Sequence, residues 1–507
     1  MPRSNKIKKI LIANRGEIAI RILRACREMG IKTVAVFSDV DAGSLPVRLA
    51  DQACHIGPSP ANESYLNIGR IIDAAIKTGA DALHPGYGFL SENPDFAREC
   101  IARDIIFIGP DPNVILSMGE KTVAKQLIQK AGIPTIPGVD RAIIDLDEAR
   151  KVAEEIGFPL ILKAAKGGGG RGMRIVRNDL ELSGAFRLAK SEALAAFGSD
   201  AVFMEKYIVN PRHIEFQILA DKHGNVVHLG ERDCTLQRRH QKLLEEAPSP
   251  FLNDEMRKNM GEAAVAVAKA ANYQSAGTVE FLVDSQNNYY FMEMNTRIQV
   301  EHPVTEMVTG IDIVKEQIYI AQGQKLKFKQ SDVKISGWTI QCRINAEDPF
   351  KGFIPNPGRI ESIRFPFGAG IRVDTAVFDG YEIPRQYDSL IAKIIAHGQN
   401  RQAAISRMDN ALSEMKIKGI KSTKEFHLAL MRDDDFKNSD YDTSYIDERL
   451  GQLKANMKID EQAAAIATAV DVFLYTQKMH TKKEDKNGVN KQPNAWRLNP
   501  RINRTPR

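Results

Sequence analysis

Cysteine is scarce in these 507 residues, and the five present, Cys26, Cys54, Cys100, Cys234 and Cys342, are scattered without metal-ligand spacing. A disulfide framework and a zinc site are both excluded, and a reducing cytoplasm is the expected setting. Long apolar runs are missing too. Nothing approaches the roughly 18 residues needed to span a bilayer. Met1-Pro-Arg-Ser-Asn-Lys6 leads into a strand-like run with no apolar signal segment, so no membrane association is expected. Basic surplus is absent from the main body. From residue 451 onward the chain carries eleven basic and five acidic residues, which is the whole formal net charge of +6. Nucleic-acid binding thereby loses its simplest support. Two nucleotide-binding signatures are also lacking. Asn14-Arg15-Gly16-Glu17 stands after the first strand where a dinucleotide fingerprint would be, and no Gly-Lys-Ser/Thr opens a helix as a P-loop requires.

What is present is an ordinary globular balance, 43% hydrophobic and 26% charged, long enough for three or four packed units. Lys8–Ala13, Thr33–Phe37, Ala80–Leu83 and Ile105–Ile108 read as strands, alternating with helical patterns at Glu17–Met29 and Ile68–Ile76. That order indicates a doubly wound parallel sheet. Its strand ends carry ligand loops, and His84-Pro-Gly-Tyr-Gly-Phe89 is one such loop or a plain turn. Met118–Ala131 reads as one helix. Beyond it the pattern becomes helix Leu146–Ile156, strand Pro159–Lys163, a run of four glycines from Gly167, and strand Arg174–Arg177. Strand, Gly-rich turn, strand is a hairpin able to fold over phosphates. Glycines allow close backbone approach, and Lys163, Lys166 and Arg171 bring positive charge. A surface loop is the plainer alternative.

Arg212–Leu219 alternates polar and apolar, with His213, Glu215 and Gln217 on one face. Glu231–Lys242 is a dense polar run of the kind that is usually a solvated loop. Thr278–Val283 and Tyr289–Met294 form a hairpin that places Glu280 opposite Glu293. Two facing carboxylates repel unless a cation lies between them, which is the strongest sign of a Mg²⁺ site. Glu293–Glu301, read as extended, puts Glu293, Asn295, Arg297, Gln299 and Glu301 on one side and apolar residues on the other. Hard oxygen ligands, an arginine fork and a carboxylate base would then share one space, unless this is an ordinary solvated sheet face. His302-Pro303 is expected to end it in a turn. Residues 333–395 hold short strands, with Arg343 on an alternating one. Glu414-Met-Lys-Ile417 resembles a biotinylated-lysine context only superficially, since Arg401–Lys416 reads as a helix.

From about Lys8 to Leu450 the chain resembles the biotin carboxylase component of biotin-dependent carboxylases, of acetyl-CoA, propionyl-CoA or pyruvate carboxylase type, an ATP-grasp family. The resemblance rests on Ile12–Ala19, His84–Asn93, Gly167–Met173, Glu231–Cys234, Gln237–Lys242, Glu293–Glu306 and Cys342–Asp348. It implies an α/β architecture with an N-terminal parallel-sheet domain over residues 1–117. An ATP-grasp domain would span 118–330, with a mobile lid near 135–204. A C-terminal mixed α+β domain would occupy 331–450, followed by a basic tail, 451–507, whose helix and Trp496 suit partner docking.

The resemblance implies ATP-dependent carboxylation of biotin by bicarbonate through carboxyphosphate. Lys121, Lys163, Gly168, Gly169 and Gly170 would hold the ATP phosphates. Glu205 and Lys206 would lie at the adenine, with His213, Gln237 and His240 around the nucleotide. Glu280, Glu293 and Asn295 would bind Mg²⁺ or Mn²⁺. Lys242, Arg297, Gln299 and Val300 would bind bicarbonate, Glu301 would deprotonate it, and Arg343 would stabilise the biotin enolate. Tyr87 would lie on the biotin side. Lys166 stands where the family often has a small residue. Biotin would arrive as a carried substrate on a separate carrier protein, with carboxyltransferase subunits as further partners, a homodimer of this chain, and neither nucleic acid nor membrane. Two rivals are another ATP-grasp ligase forming a carboxylate or carbamate linkage, and an inactive scaffold whose basic tail binds a partner.

Overall fold

The computed structural model describes residues 6–139, 141–164 and 173–455, with residues 466, 469, 470 and 472–474. Residues through Leu453 form one compact unit, and Lys454 onward form a second. The glycine run and its flanks, residues 165–172, lie outside the described residues, and so do Trp496 and the arginines near it. In the second unit the described residues are helical, and Ile466, Val470, Val472, Phe473 and Leu474 are at least half exposed.

The first sheet is fully parallel, in the order Gln52–Gly57, Lys32–Ser38, Lys9–Ile12, Ala82–His84, Ile106–Phe107. Its central strand is apolar on both faces because helices cover both, as parallel sheets demand. Ile18, Ile22, Ala25 and Cys26 of the Gly16–Glu28 helix bury one such cover. That helix starts at Gly16 with φ +66°, a left-handed conformation that costs a side-chain-bearing residue strain. Gln52–Gly57 escapes sequence reading because most of its side chains are exposed and follow no apolar alternation. The expected Met118–Ala131 helix is two, Pro112–Gly119 and Lys121–Lys130. They break at Glu120, whose ψ of 103° is not helical.

A three-stranded antiparallel sheet, Met173–Val176, Leu160–Ala164 and Val202–Lys206, carries Lys163 and Glu205 opposite each other's neighbours. The largest sheet has eight antiparallel strands. Their order is Tyr289–Asn295, Ser275–Val283, Arg212–Ala220, Val226–Asp233, Leu244–Ala247, Trp338–Asn345, Leu390–Gly398 and Ile371–Thr375. This sheet runs without a break from the Glu280–Glu293 hairpin to the strand of Arg343, which positions the two ends of the site on one scaffold. Tertiary pairing extends where local pattern stops. The Tyr289–Asn295 strand ends at Asn295, and residues 296–301 turn instead of remaining extended. His302–Thr309 is then a helix, with Pro303 in its first turn, where a missing N–H costs nothing. Lys416–Lys418 is a strand paired with Ser362–Arg364, so Lys416 lies beyond the Arg401–Glu414 helix that was expected to include it.

Candidate active site

Sheet register builds the centre of the site. Glu293 pairs with Glu280, Glu280 with Glu215, and Glu215 with Arg232, so three carboxylates and a guanidinium form one row across four strands. Cross-strand neighbours on one face lie close enough to interact strongly, and like charges there repel. Arg232 is fully buried and saturates its end of the row. It donates to Glu215 at 2.5 Å, to Gln217 at 2.7 Å, and to Thr305 and Thr278 at 3.0 Å. The polar run from Glu231 is therefore not a solvated loop. Glu231, Arg232 and Asp233 are buried because groups outside the run satisfy them, Arg257 for Glu231, Glu215 for Arg232 and Ser249 for Asp233, whereas Arg239 further along is exposed.

Lys242 supplies the second cation. Its Nζ lies 2.5 Å from Glu215, 3.0 Å from Glu280 and 2.8 Å from Glu301, one carboxylate for each ammonium hydrogen. Burial would lower the lysine's pKa, but the three carboxylates raise it well above the ordinary value. The same contacts act on Glu301. Burial would raise its pKa, but Lys242, Arg343 and Arg232 hold it well below the carboxylate range. Glu301 also sits at the start of the His302–Thr309 helix, where the helix dipole favours an anion.

Glu280 accepts from His213 Nε2 at 2.8 Å, Asn295 Nδ2 at 2.8 Å and Gln299 Nε2 at 2.9 Å besides Lys242. Burial opposes ionisation, and Lys242 and His213 override it, so Glu280 is held well down. Glu293 is its opposite. Among the described residues no hydrogen bond or ion pair reaches its carboxylate, and burial together with Glu280 pushes its pKa up. A carboxylate left without donors beside a second one, with the Asn295 amide adjacent, is a donor set that a hard divalent cation completes. Glu293 is thus open to a cation, whereas Glu280 is already held by Lys242 and His213 and Asn295 Oδ1 by Arg297, so an ion on all three residues that sequence reading assigned to it would displace those contacts. Other acidic groupings, His213 with Glu215 and Glu280, and Glu215 with Cys234 and Glu301, are spanned by Lys242 or Arg232 already.

Arg297 extends its fork toward Glu92 at 2.8 Å, Gln299 Oε1 at 2.7 Å and Asn295 Oδ1 at 2.9 Å, so the turn after Asn295 is braced from within. Arg343 donates to Glu245 at 2.5 Å and to Glu301 at 2.9 Å. Thr423 and His427 both donate to the Arg343 carbonyl at 2.8 Å, fixing the backbone beneath it. Elsewhere in the cleft, Glu205 bridges Lys163 at 2.6 Å and Lys125 at 3.3 Å. Lys206 directs its amine to the carbonyls of Gly157 and Phe158 at 3.2 and 2.9 Å. Asn14 Nδ2 donates to the Pro85 and Tyr87 carbonyls at 2.7 Å, pinning the loop that presents Tyr87. A Cβ on Gly86 would approach Asn14 to 2.9 Å, so this contact needs glycine.

Lys121, Lys163, Glu205, Lys206, His213, Gln237, His240, Lys242, Glu280, Glu293, Asn295, Arg297, Gln299, Val300, Glu301, Arg343 and Tyr87 all line one cleft of about 1720 Å³. Gly168, Gly169 and Gly170 lie outside the described residues. Sequence reasoning missed Arg232 as a structural cation, Glu245, Lys125, Glu92, Glu17 and Lys393. Arg232, Glu92 and Glu17 lie within the runs Glu231–Cys234, His84–Asn93 and Ile12–Ala19 that carry the resemblance, which is a signal, whereas Glu245, Lys125 and Lys393 lie in none.

The chain is similar to known proteins over most of its length. Family models match over most of the chain: the N-terminal domain of biotin carboxylase at residues 6–115, the carbamoyl-phosphate synthase L chain ATP binding domain at 120–329, and the biotin carboxylase C-terminal domain at 341–448. Biotin carboxylase 1 of Bacillus subtilis is 54% identical over 442 residues, 87% of this chain and 98% of the relative. The 2-oxoglutarate carboxylase small subunit of Hydrogenobacter thermophilus is 52% identical over 87% of this chain and 93% of its own. Among solved structures, the biotin carboxylase domain dimer of the Hydrogenobacter thermophilus 2-oxoglutarate carboxylase, in complex with MgADP, ADP and bicarbonate, superposes with a TM-score of 0.85 at 51% identity. It covers 88% of this chain and 98% of that one.

Proposed function

The chain belongs to the biotin carboxylase family of ATP-grasp ligases, and on that premise we propose that it carboxylates biotin with bicarbonate, driven by ATP cleavage. The observation that carries the proposal is the contact of Glu301 with Lys242 and Arg343 beside the Glu280–Glu293 pair in one cleft.

Lys121 and Lys163 take the ATP phosphates together with the Gly168–Gly170 segment. Glu205 and Lys206 border the adenine, and His213, Gln237 and His240 border the rest of the nucleotide. Glu280, Glu293 and Asn295 would hold Mg²⁺ or Mn²⁺, which offsets charge on the phosphoryl oxygens. Lys242, Arg297, Gln299 and Val300 receive bicarbonate, and Lys242 then exchanges a carboxylate partner for the substrate anion. Glu301 takes the bicarbonate proton as an oxygen of that anion attacks the γ-phosphorus. The bond to the bridging oxygen breaks, ADP leaves, and carboxyphosphate remains. Its breakdown gives CO₂ and phosphate, and phosphate takes the N1 proton of biotin. Arg343 stabilises the resulting anion, which forms a bond to CO₂, with Tyr87 on the biotin side.

This is the first half-reaction of a multisubunit acyl-CoA or pyruvate carboxylase. The chain works as three functional units, 1–117, 118–330 with a lid near 135–204, and 331–450. Biotin comes on a separate carrier protein, the carboxyltransferase is a further component, and the chain pairs with a second copy. All five cysteines are free, which suits a reducing cytoplasm. Among the described residues no helix is long and apolar enough to cross a membrane. The tail, 451–507, docks the partner components, and unimpaired assembly after truncation at Leu450 would remove that role. The test of the whole reading is ADP release with Mg-ATP and bicarbonate, with and without free biotin. Release that needs bicarbonate and rises with biotin supports it. Release indifferent to biotin, free or on its carrier, points to another ATP-grasp ligase.

A further inference from the structure

Beneath the cleft lies a lysine that the reaction as described does not use. Lys393 is 0% exposed, in the middle of Leu390–Gly398. In register it stands between Arg343 on one neighbouring strand and Asp374 on the other. Its Nζ lies 3.0 Å from the Val300 carbonyl, 3.0 Å from Glu17 Oε1 and 3.7 Å from Asp374 Oδ2. Asp374 is already held by both ends of the Arg372 fork at 2.9 and 2.8 Å, so Val300 and Glu17 are the nearer partners of the ammonium. Lys393 itself does not line the cleft, whereas Glu17, Tyr87 and Val300 do.

Glu17 is the second member of the arrangement. It sits in the first turn of the Gly16–Glu28 helix, buried, and the same oxygen that meets Lys393 accepts the Tyr87 hydroxyl. One ammonium–carboxylate contact thus joins three distant segments. They are the peptide immediately before Glu301, the loop presenting Tyr87, and the strand next to Arg343. A buried ion pair is rarely more stabilising than an apolar pair of the same shape. What it provides that Met or Leu cannot is a directed hold on a carbonyl and a hydroxyl.

We propose that Lys393 and Glu17 are positioning residues for the reaction: they fix the Val300 carbonyl ahead of Glu301 and the Tyr87 hydroxyl, and so hold the bicarbonate side and the biotin side of the cleft in one register. The inference rests on the function proposed above.

The experiment is steady-state ADP release by the full chain, comparing wild type, Lys393→Met, Glu17→Gln and the double variant, with thermal melting alongside. Small misplacement of a reacting group carries a large kinetic cost, so Lys393→Met raises the KM for bicarbonate about ten- to a hundred-fold and leaves the KM for ATP within about two-fold. Glu17→Gln weakens the stimulation by free biotin about ten-fold. For each of these two readouts the double variant is no worse than the single variant that moves it more, because both single changes already break the Lys393–Glu17 contact. Folded variants with unchanged parameters overturn the proposal. So does a uniform rise in both KM values accompanied by a lower melting temperature, the mark of a structural role alone. Should Lys393→Met not fold, Lys393→Arg and Glu17→Gln decide by the same readouts. A wild type that releases no ADP with bicarbonate overturns the function and this inference with it, whereas an active wild type with unmoved variants overturns this inference alone.

Discussion

Arg343 and Glu301 lie 2.9 Å apart although 42 residues separate them in the chain. The guanidinium is shared, since Glu245 takes its Nε at 2.5 Å. The carboxylate is shared as well, since Lys242 approaches its other oxygen at 2.8 Å. A proposed base and a proposed anion stabiliser therefore wait in contact, each held by a further partner. Bicarbonate entering between Lys242 and Glu301 would loosen both contacts at once, and Glu301, freed of a cation, becomes a stronger base.

The first consequence concerns Glu301 itself. Glu301→Gln keeps the shape and removes the proton acceptor, so bicarbonate-dependent ADP release drops about 10²- to 10⁴-fold while nucleotide affinity stays near wild type. A coupled ADP assay with equilibrium ATP-analogue binding measures both. Undiminished turnover would take Glu301 out of the mechanism.

Glu245 is 0% exposed and does not border the cleft, yet it decides where Arg343 points. In Glu245→Gln the arginine loses its charged anchor and pairs with Glu301 alone, so biotin-dependent turnover falls more than biotin-independent turnover. Arg343→Ala is harsher, because it leaves Glu245 and Glu301 without their shared cation, and removing one partner of a buried pair costs about 3–5 kcal/mol. Denaturant midpoints of the two variants compare the costs. Equal stability for Arg343→Ala and wild type would contradict the assigned contacts.

Much of this architecture is legible in the residues. The parallel sheet follows from strands alternating with amphipathic helices, and the facing of Glu280 and Glu293 follows from a short turn that fixes the hairpin register. What local pattern cannot carry is pairing between distant strands. Glu215 lies 27 residues before Lys242 and Glu301 lies 59 after it, and only the folded sheet brings them to one ammonium. The run Glu231–Lys242 reads as solvated because its charges look unpaired in one dimension. Its Arg232 finds Glu215, Gln217, Thr278 and Thr305 across three other segments. Lys393 and Glu245 sit in mostly apolar or paired contexts and carry no motif at all.

Glu293 offers a prediction of opposite signs. In the metal-free protein its carboxylate repels Glu280, so Glu293→Gln relieves a like-charge contact and raises the melting temperature. With Mg-ATP the same change removes a proposed ligand, and the half-saturating Mg²⁺ concentration for ADP release rises about 10- to 100-fold. Melting curves in chelator and Mg²⁺ titrations of turnover test the two halves separately. A variant that loses stability without metal, or keeps its Mg²⁺ dependence, is incompatible with a cation between these strands.

His427 gives a pH dependence whose sign is fixed by its burial. It is fully buried and donates to the Arg343 carbonyl, and burial lowers its pKa from 6.5 to about 4, with that hydrogen bond opposing the shift only in part. Above pH 6.5 both the folded and the unfolded chain hold it neutral, and it contributes no pH dependence. As the pH falls from 6.5 toward about 4, the unfolded chain gains a proton that the folded chain refuses, and stability is lost through that window. The loss reaches about 3 kcal/mol and levels off once the folded form also protonates. Other buried histidines, His84 among them, are lowered as well, so the informative quantity is the difference between wild type and His427→Gln. Glutamine can still donate to the Arg343 carbonyl but takes up no proton. Its denaturation midpoints decline less steeply between pH 6.5 and 4 than those of wild type, and the two converge in slope above pH 7. Parallel slopes across the acid window would mean that His427 is protonated in the folded chain, and the anchor under Arg343 would then be a cation rather than a neutral ring.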